Sequence, residues 1–390
     1  MEALDQIWVT LKHSALGVLP AALRGWASIL LSIGPLVGAF AGLFALTTLV
    51  ERKLLGRIQN RPGPNRVGPF GILQPAADGL KAVFKENVVP RAADRLVYTL
   101  APVVMVIPAI LALAVIPVGR NMTALDLDAG VLYFFAVGAG AELAVFMAGW
   151  ASRNKYALLG AMRALAQMIS YELPLILSTI PVLMLTGTLS PSKIVEAQNA
   201  YSFGLAQWHV FTPWGFAAFW LFLIAGMAEA NRSPFDIPEG ESEIVAGHLI
   251  EYSGFKFALF FLGEYLGLFA MTSLAITLFL GGWTAPVSFL AWIPSWMWFF
   301  AKLTVLMLFF IWVRGTVPRL RIDQLMNFAW KLMLPLSLIN IVNAGLWHHL
   351  GSGPLRWLVS ATLVVAPYFL LGQGLAARAR WAPRTYRWVE

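Results

Sequence analysis

Acidic side chains are concentrated between Ala228 and Gly254, a segment we call the acidic stretch. Its acidic residues are Glu229, Asp236, Glu239, Glu241, Glu243 and Glu251. Arg232 is the only clear counter-charge, and the segments on either side are apolar enough to cross a bilayer. Carboxyl groups crowded in a partly dehydrated place cannot all ionise, so some of them hold protons near neutral pH. The acidic stretch therefore has the composition of a proton-handling site.

Two further acids, Glu172 and Glu264, lie inside apolar segments before and after the acidic stretch. An ionisable residue within a membrane span is costly to bury and is by default a candidate for function. The alternative for Glu172 is a hydrogen-bonded acid that fixes helix packing, and the alternative for the acidic stretch is a solvated loop. Because acids continue from the loop into the spans, we favour one polar seam. Glu142 and Lys302 are additional candidates for this seam, the alternatives being snorkelling or a structural pairing.

The composition defines the setting of these acids. Of the 390 residues, 59% are hydrophobic and only 12% are charged, which is typical of a helical membrane protein with several spans. The apolar segments are too long and continuous for the strands of a membrane barrel. The sequence has no cysteine to ligate an iron–sulfur cluster, and its histidines do not form facing pairs for a haem. The net charge is +8, and we interpret the excess of basic residues as a mark of cytoplasmic loops and not of nucleic-acid binding.

The apolar segments predict an all-α polytopic membrane protein with nine transmembrane helices. The predicted spans are 28–50, 97–117, 130–150, 162–187, 214–230, 256–281, 291–313, 328–350 and 355–376. Residues 72–86 are instead amphipathic, with Leu80 and Phe84 on one face and Lys81 and Lys85 on the other, which predicts a helix along the membrane surface. Basic residues collect in alternate connections, namely 51–95, 152–163, 231–256, 314–331 and 378–387. The positive-inside rule then predicts an outside N-terminus and an inside C-terminus.

Four motifs resemble one known family. They are ERKLLGRIQNRPGPNRVGPFGILQPAADGLK from Glu51, KYALLGAMRALAQMISYE from Lys155, AEANRSPFDIPEGESEIVAGHLIEYSG from Ala228 with ALFFLGEY after it, and PRLRIDQLMNFAWK from Pro318. Over about Glu51 to Lys331, the chain is similar to the H subunit of the bacterial NADH:quinone oxidoreductase, the quinone-site membrane subunit of respiratory complex I. The resemblance implies a membrane domain over residues 1–350. Since this family usually ends after eight spans, residues 351–390 with the ninth span are an expected C-terminal extension.

The resemblance also implies roles for individual residues. The implied proton path comprises Glu172, Glu229, Glu264 and Glu243. The implied coupling loop, which links quinone chemistry to proton movement, includes Asp236, Glu239, Glu241 and Glu251. The implied quinone tunnel includes Arg52, Arg314, Arg319 and Phe235. No residue is implied to be catalytic on this chain alone.

Substrates and partners follow from the same resemblance. It implies a quinone, either ubiquinone or menaquinone, as substrate, with NADH, FMN and iron–sulfur clusters on partner subunits and no metal, haem or flavin on this chain. The implied partners are hydrophilic quinone-site and cluster-bearing subunits, small and antiporter-like membrane subunits, and the lipid of a bacterial cytoplasmic (inner) membrane. Nucleic acid is not among the implied partners.

Elementary chemistry fits this mechanism. A neutral quinone needs an apolar passage that opens into lipid, which the first span, the surface helix and the sixth span would provide. Reduction of the quinone changes its charge and shifts the pKa values of poorly solvated carboxyl groups nearby. Three alternatives stay open on the residues alone: the corresponding component of a complex I-like membrane-bound hydrogenase or other dehydrogenase, a proton-coupled transporter, and a structural anchor for a soluble enzyme.

Overall fold

The computed structural model describes residues 5–18, 20–202, 204–238, 240, 244–351 and 353–378. Within these residues the chain forms fourteen α-helices, besides short 3-10 turns: α1 (Ile7–Val18), α2 (Ala21–Ile58), α3 (Gln74–Phe84), α4 (Arg95–Ala114), α5 (Gly130–Gly138), α6 (Gly140–Ala151), α7 (Lys155–Thr186), α8 (Pro191–Ala197), α9 (Pro213–Glu229), α10 (Gly254–Phe279), α11 (Ser295–Thr316), α12 (Ile322–Phe328), α13 (Leu334–His349) and α14 (Pro354–Arg378). A π-helical turn, Ala329–Met333, joins α12 to α13. The described strands are β1 (Tyr201–Ser202) and β2 (Leu205–Ala206), which pair in a small antiparallel hairpin. The predicted all-α class is confirmed.

The spans agree with the apolar segments of the sequence. Eight helical segments in the described part of the chain are long and apolar enough to cross a membrane, and α9 is a shorter apolar helix. With its 17 residues, α9 is about 25 Å long, slightly less than the hydrocarbon core of a bilayer. The prediction of a polytopic membrane protein is confirmed, and the sides on which the termini lie stay a prediction.

Local sequence fixes the ends of the two helices that carry Glu172 and Glu229. The side chain of Asn154 caps the start of α7 by accepting from a backbone N–H two residues later, at 2.9 Å. Thr212 caps α9 in a similar way, accepting from a backbone N–H three residues later at 3.2 Å. Helix α7 ends at Thr186 and is followed by Gly187, whose φ of 65° lies in the left-handed region that glycine adopts without strain. The two acids are therefore held by helices with defined boundaries.

The third predicted span is interrupted. Helix α5 ends at Gly138 and α6 begins at Gly140, with Ala139 between them in a turn. Gly140 lies against the ring of Pro108 on α4, and a Cβ at this position would approach that ring to 2.7 Å. Close packing here therefore requires a glycine. The break places Glu142 in the first turn of α6, near the middle of the span.

The predicted surface helix is α3, which has no buried residue. Its apolar side chains are exposed, Phe84 at 84% and Leu80 at 60%, as expected for a face that meets lipid. On its polar face, Asp78 pairs with Arg52 of α2 at 2.5 Å. Helix α3 also packs against α10, so the first span, the surface helix and the sixth span are neighbours.

Helix α14 adds a ninth apolar segment beside α13 and α9. The side-chain amide of Asn343 donates to the backbone carbonyl of Ser360 at 3.3 Å, which joins α13 to α14. The guanidinium of Arg356 lies 3.8 Å from the centre of the Trp347 ring. The helix is thus attached to the bundle through specific contacts and through apolar packing.

Candidate functional site

Two carboxyl groups meet between α6 and α7. The side chains of Glu142 and Glu172 lie within hydrogen-bonding reach of each other. Because an ionised carboxylate can only accept a hydrogen bond, a hydrogen bond between them needs a proton on one of the two groups. Such a pair can share one proton within the membrane-spanning part of the molecule. The partner of Glu172 belongs to a neighbouring helix, and the sequence could name Glu142 only as a candidate.

The side chains of Glu229 and Glu264 reach one small cavity, which we call the acid cavity. It has a volume of about 60 Å³ and is also lined by Met168 and Asn231. This volume is enough for about four water molecules. The Oε2 atom of Glu229 is buried and has no hydrogen-bond partner among the described residues. The acid cavity therefore offers a polar, hydratable space between otherwise apolar helices.

The acid cavity and the carboxyl pair are electrostatically connected. The charges of both Glu172 and Glu142 act on Glu229. Three acids from three different helices thus influence one another, and Glu264 of a fourth helix shares the acid cavity with Glu229. A proton gained or lost by one member of this group changes the electrostatic energy of its neighbours.

A second cluster of charged groups lies at the cytoplasmic end of the predicted topology, and we call it the glutamate–arginine cluster. Its members are Glu51 of α2, Arg232 of the acidic stretch, Tyr265 of α10 and Arg314 of α11. Glu51 accepts hydrogen bonds from the hydroxyl of Tyr265 and from the guanidinium of Arg314. Arg232 lies 3.9 Å from Glu51 and stacks 4.0 Å from the ring centre of Tyr265. Distant segments of the chain are therefore joined by one buried carboxylate, which is 6% exposed.

The sequence did not identify Glu51 as a site residue. It follows directly on an apolar segment as the first residue of Glu51-Arg52-Lys53, a pattern that resembles a charged trio at the water boundary. The signal that could have found it is the tyrosine next to Glu264, since a buried Tyr265 hydroxyl needs a partner. Nothing in the sequence identifies that partner.

Asp236 attaches the acidic stretch to the segment that follows α11. Its Oδ2 accepts from the Nη2 of Arg319 at 2.8 Å, and its Oδ1 is buried without a partner among the described residues. Burial raises the pKa of Asp236 above its usual value, and the positive charges of Arg319, Arg314 and Arg232 oppose that rise. Burial favours the protonated form of Asp236, and the arginines favour the ionised form that pairs with Arg319. A change of charge nearby would therefore alter how much of Asp236 is ionised.

The other residues assigned to a quinone tunnel lie in two places. Phe235 is buried, with its ring centre 5.6 Å from that of Tyr171 on α7. The side chain of Arg52 is half exposed and reaches Asp78 on the surface helix, away from the glutamate–arginine cluster. The structure thus brings Arg314 to that cluster and leaves Arg52 on the side of α3.

Glu251 fixes the far end of the acidic stretch. Its Oε1 accepts from the side-chain amide of Asn154 at 2.6 Å, and its carbonyl accepts from the hydroxyl of Tyr98 at 2.7 Å. The Tyr98 ring stacks on Tyr252 with the ring centres 4.2 Å apart. Glu251 is therefore an anchor between α4, α7 and the start of α10. The remaining acids of the stretch, Glu239, Glu241 and Glu243, lie outside the described residues.

Lys302 lies apart from the acids. Its ammonium donates to three backbone carbonyls after the end of α10, those of Leu280, Gly282 and Thr284, at 2.7, 2.8 and 2.7 Å. Since Leu280 is 16 residues beyond Glu264 on α10, the two sites are about 24 Å apart. Lys302 thus fixes the end of α10 and does not extend the polar seam.

No group of three or more metal-ligating side chains occurs among the described residues. The chemistry that these clusters support is proton uptake, proton release and the stabilisation of charge.

Comparison with known proteins agrees with the motifs. A family model described as "NADH dehydrogenase" matches residues 31–345. The chain is 50% identical to the H subunit of NADH-quinone oxidoreductase from Geobacillus kaustophilus (strain HTA426) over 322 residues, which cover 82% of this chain and 94% of that protein. It is 49% identical to the protein of the same name from Dehalococcoides mccartyi (strain CBDB1) over 317 residues, 81% of this chain and 86% of that one. The protein of this name from Methylibium petroleiphilum is 45% identical over 324 residues, 82% of this chain and 91% of the relative.

Proposed function

The chain belongs to the family of the H subunit of NADH-quinone oxidoreductase, and we propose that it lines the quinone tunnel of such an enzyme and couples quinone reduction to proton translocation. Membership makes it a multi-pass membrane component of an enzyme complex, the proton-translocating complex I, whose other subunits are its partners. It also implies a quinone site.

One observation carries the proposal: two pairs of consecutive residues connect the two clusters. Glu264 lines the acid cavity, and the next residue, Tyr265, binds Glu51 in the glutamate–arginine cluster. Asn231 lines the acid cavity, and the next residue, Arg232, lies in the same glutamate–arginine cluster. A displacement of either cluster is therefore transmitted to the other through a single peptide unit on each of two segments.

The quinone would act on the glutamate–arginine cluster. Electrons arriving at a quinone give it negative charge before it takes up protons, and the guanidinium of Arg314, about one third exposed, is placed to be attracted by that charge. Withdrawal of Arg314 leaves Glu51 with one cation fewer. Arg232 and the hydroxyl of Tyr265 then compensate more of its charge, and each is adjacent in the chain to a residue of the acid cavity.

The passage for the quinone would lie along α2, α3 and the first half of α10, which are in mutual contact and expose apolar side chains. The cavity at the glutamate–arginine cluster has a volume of only about 20 Å³, room for one or two water molecules. The described residues therefore do not enclose room for a quinone ring at this cluster. We propose that a hydrophilic partner completes the tunnel against the side that presents Arg314 and Arg319.

On the membrane side, a displacement of residues in the acid cavity would act on the carboxyl pair of Glu142 and Glu172. A change in the position or charge of Glu264 or Glu229 acts on the shared proton of Glu142 and Glu172. Glu243, together with Glu239 and Glu241, would supply further acids from the acidic stretch, and Glu251 would anchor its end. Protons would then continue into other membrane subunits.

The remaining assignments are part of the same proposal. The enzyme would reduce ubiquinone or menaquinone with electrons from NADH, delivered through FMN and iron–sulfur clusters on cluster-bearing subunits. Small and antiporter-like membrane subunits would adjoin this chain in a bacterial cytoplasmic membrane. Residues 1–350 would form the family domain and residues 351–390 an extension, consistent with the matched range ending at residue 345.

Photolabelling tests the quinone assignment. A photoreactive quinone analogue, added to the purified complex, is expected to label this chain on the segments that border Glu51, Arg314 and Arg319, and excess natural quinone should suppress the label. Parallel assays with NADH and with hydrogen as electron donor separate the NADH:quinone enzyme from a related hydrogenase. Labelling confined to other subunits, or labelling that quinone does not suppress, would exclude a tunnel wall on this chain.

The pH profile of quinone reduction tests the role of Asp236. Only its ionised form can hold Arg319, so activity should decline as the pH falls through the raised pKa of Asp236. In Arg319→Gln the ion pair cannot form at any pH, so activity should be low throughout and this acid limb should be lost. Arg319→Lys keeps the charge and should retain most of the original position. An acid limb that is unchanged in Arg319→Gln would show that this ion pair is not used.

A further inference from the structure

Gln167 is a buried amide, 2% exposed, around which the start of the acidic stretch is arranged. Its Nε2 lies 2.7 Å from the carbonyl oxygen of Ala228, 2.8 Å from that of Phe235 and 3.1 Å from the Oδ1 of Asn231. An amide nitrogen carries two hydrogens, so at any moment it serves two of these three acceptors well. The amide can therefore form more than one pair of hydrogen bonds, at donor–acceptor distances that differ little.

The three acceptors belong to functionally different positions. Ala228 immediately precedes Glu229, which lines the acid cavity, and Asn231 lines the same cavity. Phe235 immediately precedes Asp236, which pairs with Arg319. The amide of Gln167 thus ties the residue before one acid to the residue before the other.

Some polar groups around this amide are incompletely paired among the described residues. The Oε1 of Gln167 is buried and accepts no hydrogen bond from the described residues. Asn231 adopts a φ of 49°, in the left-handed region, and its side-chain nitrogen lies 3.9 Å from the sulfur of Met168, a weak contact. Three acceptors share the two hydrogens of one amide nitrogen, so no single arrangement satisfies every polar group here.

We propose that Gln167 and Asn231 are positioning residues that form an amide latch between the Asp236 end and the Glu229 end of the acidic stretch. This inference rests on the proposed function. When Asp236 or Arg319 moves, the carbonyl of Phe235 moves with it, and the amide of Gln167 shifts toward the other two acceptors. That shift changes the position of Ala228 and Asn231, and therefore of Glu229 in the acid cavity.

The experiment uses the complete enzyme in proteoliposomes and measures quinone reduction and protons translocated per electron in the same sample. Gln167→Met keeps the approximate size and removes both hydrogens, whereas Gln167→Glu places an oxygen against three oxygens. Both variants are expected to lower the protons moved per electron by about half or more, while quinone reduction falls less. A residue with only a structural role would instead lower the amount of assembled enzyme and leave the ratio unchanged.

Asn231→Gly is the matched variant if the Gln167 variants fail to assemble. Glycine adopts the observed backbone angle without strain, so this change removes the side-chain acceptor and little else. A reduced ratio of protons to electrons in Asn231→Gly supports the latch, and an unchanged ratio in every assembled variant overturns it. Glu229→Gln distinguishes a failure of the amide latch from a failure of the proposed proton path. Loss of translocation in Glu229→Gln with normal ratios in the Gln167 and Asn231 variants rejects the latch alone, whereas normal translocation in Glu229→Gln rejects the path itself.

Discussion

Replacement of Glu229 by glutamine is expected to stop proton translocation by the assembled enzyme and to slow quinone reduction by about tenfold or more. The amide of Glu229→Gln has the size of the acid but cannot take up or release a proton. Glu229 lies on the wall of the acid cavity and responds to the charges of Glu172 and Glu142, so it connects the cavity to the carboxyl pair. Proteoliposomes with a pH-sensitive dye inside measure translocation, and NADH oxidation measures turnover.

Glu196→Gln is the matched control for this experiment. Glu196 is an exposed acid on the short helix α8, outside the acid cavity, and its replacement should change neither translocation nor turnover. Glu229→Asp keeps the ionisable group on a shorter side chain, so partial activity is expected there. Normal translocation by Glu229→Gln would remove this residue from the proton path.

The membrane architecture could be predicted because its cause is local. A run of about 20 apolar residues predicts a span in any neighbourhood, and the alternation of apolar and charged residues around Leu80 and Lys81 predicts the surface helix α3. The break at Ala139 could not be predicted from the apolar pattern, and neither could the close approach of Gly140 to Pro108 on another helix. Contacts between helices contain information that the periodicity of one helix does not.

The same distinction separates the site residues. Glu172 and Glu264 attract attention because charge within an apolar segment is rare. Glu51 does not, because a glutamate followed by two basic residues at the end of a span is also the pattern of a solvated boundary. Lys302 is the reverse case: it lies in an apolar segment, but three backbone carbonyls receive its ammonium hydrogens. Sequence shows where a polar group is costly, and only the fold shows which group compensates it.

The second large effect is expected at Glu51. In Glu51→Gln, the buried Arg232 and the partly exposed Arg314 lose their carboxylate, while the hydroxyl of Tyr265 keeps an acceptor. Loss of one partner of a buried ion pair is strongly destabilising, and after allowance for the exposure of Arg314 we expect a loss of about 2–3 kcal/mol in stability. The measurement is the thermal unfolding midpoint of the purified complex, with and without quinone.

Glu51→Gln is also expected to lower turnover by about tenfold, because an uncompensated Arg314 holds the negatively charged reduced quinone too strongly. Slow release of that species should lower the KM for quinone together with the turnover. The double variant Glu51→Gln/Arg314→Gln removes one of the two unpaired cations and should recover part of the lost stability. Activity should not recover with it, since the cation that responds to the quinone is then absent. If the double variant regains both stability and turnover, the cluster is a structural ion pair. If Glu51→Gln changes neither the unfolding midpoint nor the KM, the carboxylate is not the group that holds the two arginines.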